Sequence, residues 1–379
     1  MTYCTELRER RLTDGVTTSF QPQYSPDGKK VAFLQNRDAI CVMDLKSGKI
    51  RTVRDGKYAY SYSDGDQYFA WSPDSKWLLS NYQGNGGWNN EDVALLDAEG
   101  KKEPVNLTQS GYSDGRARWV MGGKAMIFAS DRAGYRSHGS WGAESDVYIT
   151  FFDDEAYHKF RLNKEDRALL EEAEKDKKSE KKDSADKDKK VDELKLQLDN
   201  LDDRTMRLTM QSSRLADAVM NNEGTRLYYL APHNGSMALW IRDFLEERTE
   251  LKMQRIDAHS LKMDKSGTSC YFIGQGGTLC KLDLNSASIK TIPFEAFTVN
   301  QPAKTQEYNF EHIWRQTKEK LYDPNMNGAD WDRLYTTYKR YLPHINNGYD
   351  FAEMASELLG ELNVSHTGCR YHASSSRLP

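Results

Sequence analysis

Gln23-Tyr24-Ser25-Pro26-Asp27-Gly28-Lys29-Lys30-Val31-Ala32-Phe33 reads as a strand, a tight turn and a second strand. Pro26 presets φ at the first turn position, Asp27 supports the turn, and Gly28 accepts the positive φ that other residues resist. Apolar alternation on either side supplies the strands. Phe69-Ala70-Trp71-Ser72-Pro73-Asp74-Ser75-Lys76-Trp77-Leu78-Leu79 repeats the pattern. Ala117-Arg118-Trp119-Val120-Met121-Gly122-Gly123-Lys124-Ala125-Met126-Ile127-Phe128 keeps its shape without Pro-Asp, and weaker copies lie at 219–229 and 263–272.

The spacing of these copies sets the architecture. Ser25 to Ser72 is 47 residues and Ser72 to Val120 is 48; Asn221 to Asp264 is 43. A period in the forties with about four strands per unit predicts the blades of a β-propeller. Within a unit, Ile40-Cys41-Val42-Met43-Asp44-Leu45-Lys46-Ser47-Gly48 reads as a third strand and its turn, echoed by Leu282-Asp283-Leu284-Asn285. Five units are countable over residues 1–300, so the chain is expected to be mainly β.

Bulk composition excludes several function classes. A net charge of −4 over 379 residues gives no field suited to nucleic acid or an anionic membrane surface. With 29% charged residues and a mean hydropathy of −0.81, no apolar run approaches the length of a membrane span. Cys4, Cys41, Cys270, Cys280 and Cys369 are scattered and form no CxxC pair, which speaks against a disulfide framework or a zinc site. The N-terminus shows no signal-peptide stretch. A cytoplasmic location is therefore expected, with a periplasmic one left open should the chain lack its true beginning.

Other features have structural readings. The segment from about 160 to 204, with Glu171-Glu172-Ala173-Glu174-Lys175-Asp176-Lys177-Lys178 and Asp186-Lys187-Asp188-Lys189-Lys190, is an insertion too polar to build a core. Its end, with Leu194, Leu196, Leu198 and Leu201, is expected to dock back. Gly84-Asn85-Gly86-Gly87-Trp88-Asn89-Asn90 and Gly274-Gln275-Gly276-Gly277 lack the Gly-Lys-Ser/Thr ending of a phosphate loop and read as loops between blade strands. His138, His158, His233 and His259 show no ligand spacing, so neither a metal nor a cofactor is assigned.

After about Pro302 the period changes from strand to helix. Phe310, Ile313, Trp314, Thr317 and Leu321 form one stripe, ended by Asp323-Pro324-Asn325. Trp331, Leu334, Tyr335, Tyr338 and Leu342 form a second, with Asp330 as its N-cap. A third stripe, Phe351, Met354, Ala355, Leu358, Leu359 and Leu362, is expected to start at Asp350 with Glu353 completing a capping box. All three read as core surface. Directly beyond lie Asn363-Val364-Ser365-His366-Thr367.

Two resemblances follow. The Ser-Pro-Asp-Gly repeats resemble the propeller repeats of TolB-like and tricorn-like proteins, whose rings close with six or seven blades. On that comparison, either two blades have diverged or the ring lacks its first ones. Residues 301–379 are more specific: Tyr322-Asp323-Pro324, Trp331, then Phe-x-x-Met-x-x-Glu-Leu-x-x-Glu-Leu-x-x-Ser-His-Thr over 351–367 resembles the helical core segment of tricorn-type serine peptidases, the S41 family.

That resemblance implies hydrolysis of oligopeptides or unfolded polypeptides, homo-oligomeric assembly and no cofactor. It makes His366 the general base and Ser365 its partner in the charge network. The family's nucleophilic serine lies further along, so the chain is expected to be a truncated, frameshifted or deliberately cut fragment, inactive alone. Ser374, Ser375 and Ser376 lack the strand-turn-helix setting that exposes a nucleophile beside oxyanion donors. A propeller that binds peptide or protein partners without chemistry is the alternative. A separate chain supplying the missing serine is a third.

Overall fold

The computed structural model describes residues 9–61, 65–84, 90–137, 142–179, 193–264, 266–295, 299 and 301–372. Cys4, His138, residues 85–89 of the first glycine-rich stretch, the middle of the charged insertion and Ser374 to Ser376 lie outside the described residues. The chain divides into two compact units, Met1–Pro293 and Phe294–Pro379.

Among the described residues, the first unit is built from five four-stranded antiparallel meanders, each with its strands in sequence order. The first meander is β1 (Ser19–Tyr24), β2 (Lys30–Gln35), β3 (Ala39–Asp44) and β4 (Ile50–Arg54). The second is β5 (Phe69–Trp71), β6 (Trp77–Tyr82), β7 (Asp92–Asp97) and β8 (Val105–Asn106). Next come β9 (Asp114–Val120), β10 (Ala125–Ser130), β11 (Asp146–Phe151) and β12 (Thr205–Arg207). The fourth holds β13 (Asp217–Met220), β14 (Arg226–His233), β15 (Ser236–Asp243) and β16 (Arg248–Met253). The fifth holds β17 (Lys262–Met263), β18 (Ser269–Ile273), β19 (Leu279–Asp283) and β20 (Ile289–Thr291). Each of the five sequence copies thus makes the first hairpin of one propeller-like blade.

The serine of the repeat holds that hairpin together. Ser25 is buried; its Oγ donates to Asp27 Oδ1 at 2.7 Å and accepts from Lys30 N at 3.0 Å. Ser72 does the same with Asp74 Oδ1 (2.6 Å) and Trp77 N (2.9 Å). Where the serine is absent another side chain takes the post. Asn221 Oδ1 accepts from Thr225 N and Arg226 N, both at 2.8 Å, and Asp264 Oδ1 accepts from Thr268 N and Ser269 N. At the third copy the turn closes through Met121 (φ 52°) and Gly122 (φ 67°). A buried backbone amide left unpaired is costly, so the position is kept polar or the backbone is bent around it.

Successive blades share apolar layers. Leu34, Ile40, Val42 and Phe69, Leu78, Leu96 join the first to the second. Leu79, Leu95 and Met126, Phe128, Tyr148 join the second to the third. Ile127, Ile149, Phe151 with Leu227, Tyr229, and Val219, Leu230, Leu239 with Phe272, Leu282, carry the series to the fifth. Buried both fore and aft, central strands lose the polar alternation of a one-faced sheet, and all six residues of β7 are buried. Two tryptophans add a repeated polar tie. Trp71 Nε1 donates to Gln23 O at 3.1 Å, and Trp119 Nε1 to Ala70 O at 3.2 Å, one blade back each time.

The insertion leaves the third blade between β11 and β12. Its helical part starts at α1 (Asp154–Phe160), capped by Asp153, and continues in α2 (Lys164–Ser179). The start thus lies a few residues before the expected position, because Asp153-Asp154-Glu155 makes a helix N-terminus directly after β11. Arg167, buried on α2, donates to Glu223 O on the fourth blade at 3.1 Å. The returning leg lies on the second: Leu194 N donates to Asp74 Oδ2 (3.0 Å) and Glu193 pairs with Lys76 (2.7 Å). Leu196, Leu198 and Leu201 pack on the layer between the second and third blades. So the described ends of the insertion strap three blades together.

The second unit packs α3 (Pro302–Lys320), α4 (Trp331–Lys339) and α5 (Gly348–Gly360) around Phe310, Met326, Trp331, Leu334, Phe351, Met354, Leu358 and Leu362. Trp314 Nε1 donates to Trp331 O and Trp331 Nε1 to Trp314 O, at 3.2 and 3.0 Å, locking α3 to α4. Asp330 caps α4 through Arg333 N at 3.1 Å. The cap of α5 differs from expectation. It is Asn347, accepting from Tyr349 N and Asp350 N at 2.9 Å each, and Asn347 Nδ2 reaches back to Asp350 Oδ2 at 2.7 Å. Asn347 is thus the N-cap in place of Asp350, and Asp350 braces it through the side-chain amide rather than through the backbone N–H of a capping box.

Candidate active-site segment

Helix α5 delivers the chain to Ser365 and His366. Its apolar stripe buries Phe351, Met354, Ala355 and Leu358, and Leu362 continues that line beyond the helix end. Asn363 then turns the backbone through φ 50° and Val364 packs on the same core. Ser365 and His366 follow on the exposed side, with His366 itself at φ 64°. A non-glycine residue held there pays about 1–2 kcal/mol in backbone strain, so the surrounding contacts over-determine the bend.

The Ser365 hydroxyl and the His366 Nδ1 share a hydrogen bond. In the neutral ring that carries its proton on Nδ1, this nitrogen donates to Ser365 Oγ and Nε2 keeps its lone pair. That tautomer can take a proton from a nucleophile approaching Nε2. Among the described residues, Ser365 is the one hydrogen-bond partner of the ring. The structure therefore brings the two sequence-predicted site residues together.

The loop is tied at both ends by residues the sequence reading did not single out. Asn327 Nδ2 donates to Leu362 O at 2.8 Å. Ser356, in the middle of α5, makes a two-way latch: Cys369 N donates to its Oγ at 2.9 Å, and the Oγ donates to Cys369 O at 3.0 Å. The Asn327-Gly328 dipeptide was a visible turn signal, but nothing in it named its partner 35 residues on.

The first unit holds a cavity of about 400 Å³, lined among others by Asp66, Asn81, Glu91, Asp114, Arg116 and Asp217. Burial raises the carboxyls of Glu91 and Asp114 above their ordinary range, against the opposing pull of Arg54 on Glu91 and of the Ser110 hydroxyl on Asp114. Arg118 Nη2 donates to both oxygens of Asp217, at 2.9 Å to Oδ1 and 2.8 Å to Oδ2, so that carboxylate is spoken for. No group of three or more His, Cys, Asp and Glu is placed to hold a metal ion among the described residues. There, too, no helix is long and apolar enough to cross a membrane.

Comparison with known proteins covers both units. Residues 302–360, the three-helix core up to the end of α5, match the family model of the tricorn protease C1 domain. In these residues the chain resembles the tricorn C1 domain. A Sulfurisphaera tokodaii protein named as a tricorn-like protease C-terminal subunit is 20% identical over 368 residues, 90% of this chain and 38% of that protein. A Streptomyces coelicolor protein named as tricorn protease homolog 2 is 32% identical over 65 residues, 17% of this chain and 6% of that protein. A crystal structure of the tricorn protease superposes with a TM-score of 0.65 at 13% identity, covering 92% of this chain and 33% of that one. At that identity the superposition speaks for the fold. The chain spans well under half the length of these relatives.

Proposed function

We propose that this chain carries the general-base segment of a serine-type peptidase of the tricorn, S41 kind, which hydrolyses oligopeptides or unfolded polypeptides. His366 takes the proton of a serine hydroxyl as it attacks the peptide carbonyl, and returns it to the leaving amine. Ser365 holds the ring in the tautomer that leaves Nε2 free. The observation that carries the reading is the Ser365–His366 hydrogen bond at the end of a helical core that matches the tricorn C1 domain.

The nucleophile comes from outside the described residues, in a further domain or a second chain. Homo-oligomeric assembly and a cytoplasmic setting belong to the same proposal. The buried thiols of Cys41, Cys270 and Cys280, none in a disulfide, suit a reducing compartment. The test has two arms. A fluorophosphonate leaves the 379-residue chain unlabelled, and in the native assembly His366→Ala lowers peptide hydrolysis by about 10³-fold or more. Labelling of one of the chain's own serines, or full activity in His366→Ala, refutes the assignment.

The second reading, a propeller that binds peptides without chemistry, is favoured by the charged cavity lined by Asp66, Glu91, Arg116 and Asp217. Peptide binding that survives His366→Ala and is lost on Arg116→Ala supports it.

A further inference from the structure

We propose that Asn327 and Ser356 are positioning residues, which hold the loop 363–368 so that Ser365 and His366 stay hydrogen-bonded; this rests on the reading of His366 as a base. The pair is exposed, and two adjacent exposed side chains with free rotamers exchange their mutual bond for water. What distinguishes this loop is that both its ends are fixed to the helical core by side chains.

At the near end, Asn327 reaches across from the α3–α4 connection to Leu362 O. Asn327 is itself held: its N–H donates to Asp323 Oδ2 at 3.0 Å, while Asp323 Oδ1 accepts from Asn325 N at 2.9 Å. Its backbone is left-handed, at φ 53°, a conformation asparagine tolerates better than most residues. Asn327 thus projects its amide from a turn set by Asp323.

At the far end, Ser356 satisfies both backbone groups of Cys369. A serine inside a helix ordinarily bonds the carbonyl one turn back on its own helix. Ser356 instead spends both its donor and its acceptor on a residue 13 positions away. Beyond the latch, Tyr371 packs edge-on against Tyr349 at 5.0 Å, continuing the hold along α5. Within the loop, Thr367 Oγ1 donates to Val364 O at 3.2 Å, across the bend that carries the pair. A short segment fixed at both ends and bridged in the middle has few conformations, and the left-handed His366 is one it can be made to keep.

The experiment reads the His366 ring directly. Long-range ¹H–¹⁵N spectra of the histidine-labelled 379-residue chain report the tautomer ratio, with His366→Gln assigning the signal. The wild-type ring is expected to favour the proton on Nδ1. Ser365→Ala lowers the Nδ1–H to Nε2–H ratio by about fivefold, the factor one net hydrogen bond supplies. Asn327→Gly, which keeps the left-handed turn, and Ser356→Ala each lower it by about twofold or more, approaching the Ser365→Ala value. Ser356→Thr, with its hydroxyl retained, restores the wild-type ratio, and the melting of the helical core stays close to wild type in Asn327→Gly. A wild-type ratio in both Asn327→Gly and Ser356→Ala overturns the positioning role while leaving the Ser365–His366 pair intact. A wild-type chain with no tautomer preference and no response to Ser365→Ala overturns the pair itself, and the positioning with it. Should Ser356→Ala fail to fold, Asn327→Gly decides alone.

Discussion

Replacing Arg54 by methionine should destabilise the first unit by about 3 kcal/mol. Arg54 ends β4 and is 1% exposed. Its Nη1 donates to Asn81 O at 2.6 Å; its Nη2 donates to Gln67 Oε1 at 3.0 Å and to Asp38 O. These acceptors belong to the first and second blades, so the guanidinium is a polar rivet through their junction. Three bonds from a charged donor are worth roughly 1.5–3 kcal/mol each, about 4.5–9 together. Against this stands desolvation, the largest influence on the group, which pulls its pKa down to about 10 despite Glu91 and Asp38. The fall from 12.5 is worth roughly 3 kcal/mol of relief when the charge is removed. Methionine keeps the stem's volume and limits the cavity. The balance is about 1.5–6 kcal/mol of loss, a range that includes the cost of breaking a buried charged network. Arg54→Lys keeps the charge but not the fork, and should cost about half as much. Blades need not unfold together, so the assay is urea denaturation joined to hydrogen exchange at the amides of β4 and β6. A shift below about 0.5 kcal/mol in Arg54→Met, with unchanged exchange at those strands, would refute the rivet.

Three further outcomes are expected. Trp119→Phe removes the donor to Ala70 O and should cost about 1 kcal/mol, seen as a lower urea midpoint; no shift would mean that the inter-blade tie is filled by water. Arg167→Ala strips the contact to Glu223 O, and trypsin should then cut α2 several-fold faster while the blades keep their exchange protection; an unchanged cutting rate counts against the strap. Asp44, Asp264 and Asp283 are held below the usual carboxylate range by Ser47, Ser266 and Ser286 respectively. Groups depressed in the fold add stability above their unfolded pKa of about 4 and lose it as pH falls through the lower folded values. Glu91 and Asp114, raised by burial, act oppositely: their contribution is full below that pH and lost as pH rises through their folded values. The urea midpoint should therefore drop on acidification below about pH 4, and Asp44→Asn should flatten that drop. A midpoint constant down to pH 2.5 would contradict the role given to the turn carboxylates.

The first unit was legible because its repeat is written in backbone chemistry. Pro26, Asp27 and Gly28 announce a turn, and the interval to the next copy announces a blade. What the pattern hid was the work of Ser25 and Ser72. They are buried and pair the hairpin's own amides. Periodicity cannot show this, because a hydroxyl facing inward and one facing solvent leave the same trace in a sequence. The docking of Leu196, Leu198 and Leu201 was readable, since apolar residues returning after a charged run have to be covered. That the insertion also leans on Glu223 was not, because a contact to a carbonyl carries no side-chain signature.

The site divides along the same line. Helical stripes placed the core of the second unit, and Ser365-His366 stood out beside it because the surrounding motif is specific. The residues proposed to hold the pair, Asn327 and Ser356, carry no motif. They act on backbone carbonyls and amides at Leu362 and Cys369, whatever side chains those positions bear. On the proposed reading the His366 ring needs a fixed direction to meet a serine arriving from elsewhere, and direction is a property of the loop's anchors. If His366 is the proposed base, the chemistry is spelled at 365 and 366, while its geometry is set at 327 and 356. A substitution scan that follows side-chain motifs alone would find the first pair and pass over the second.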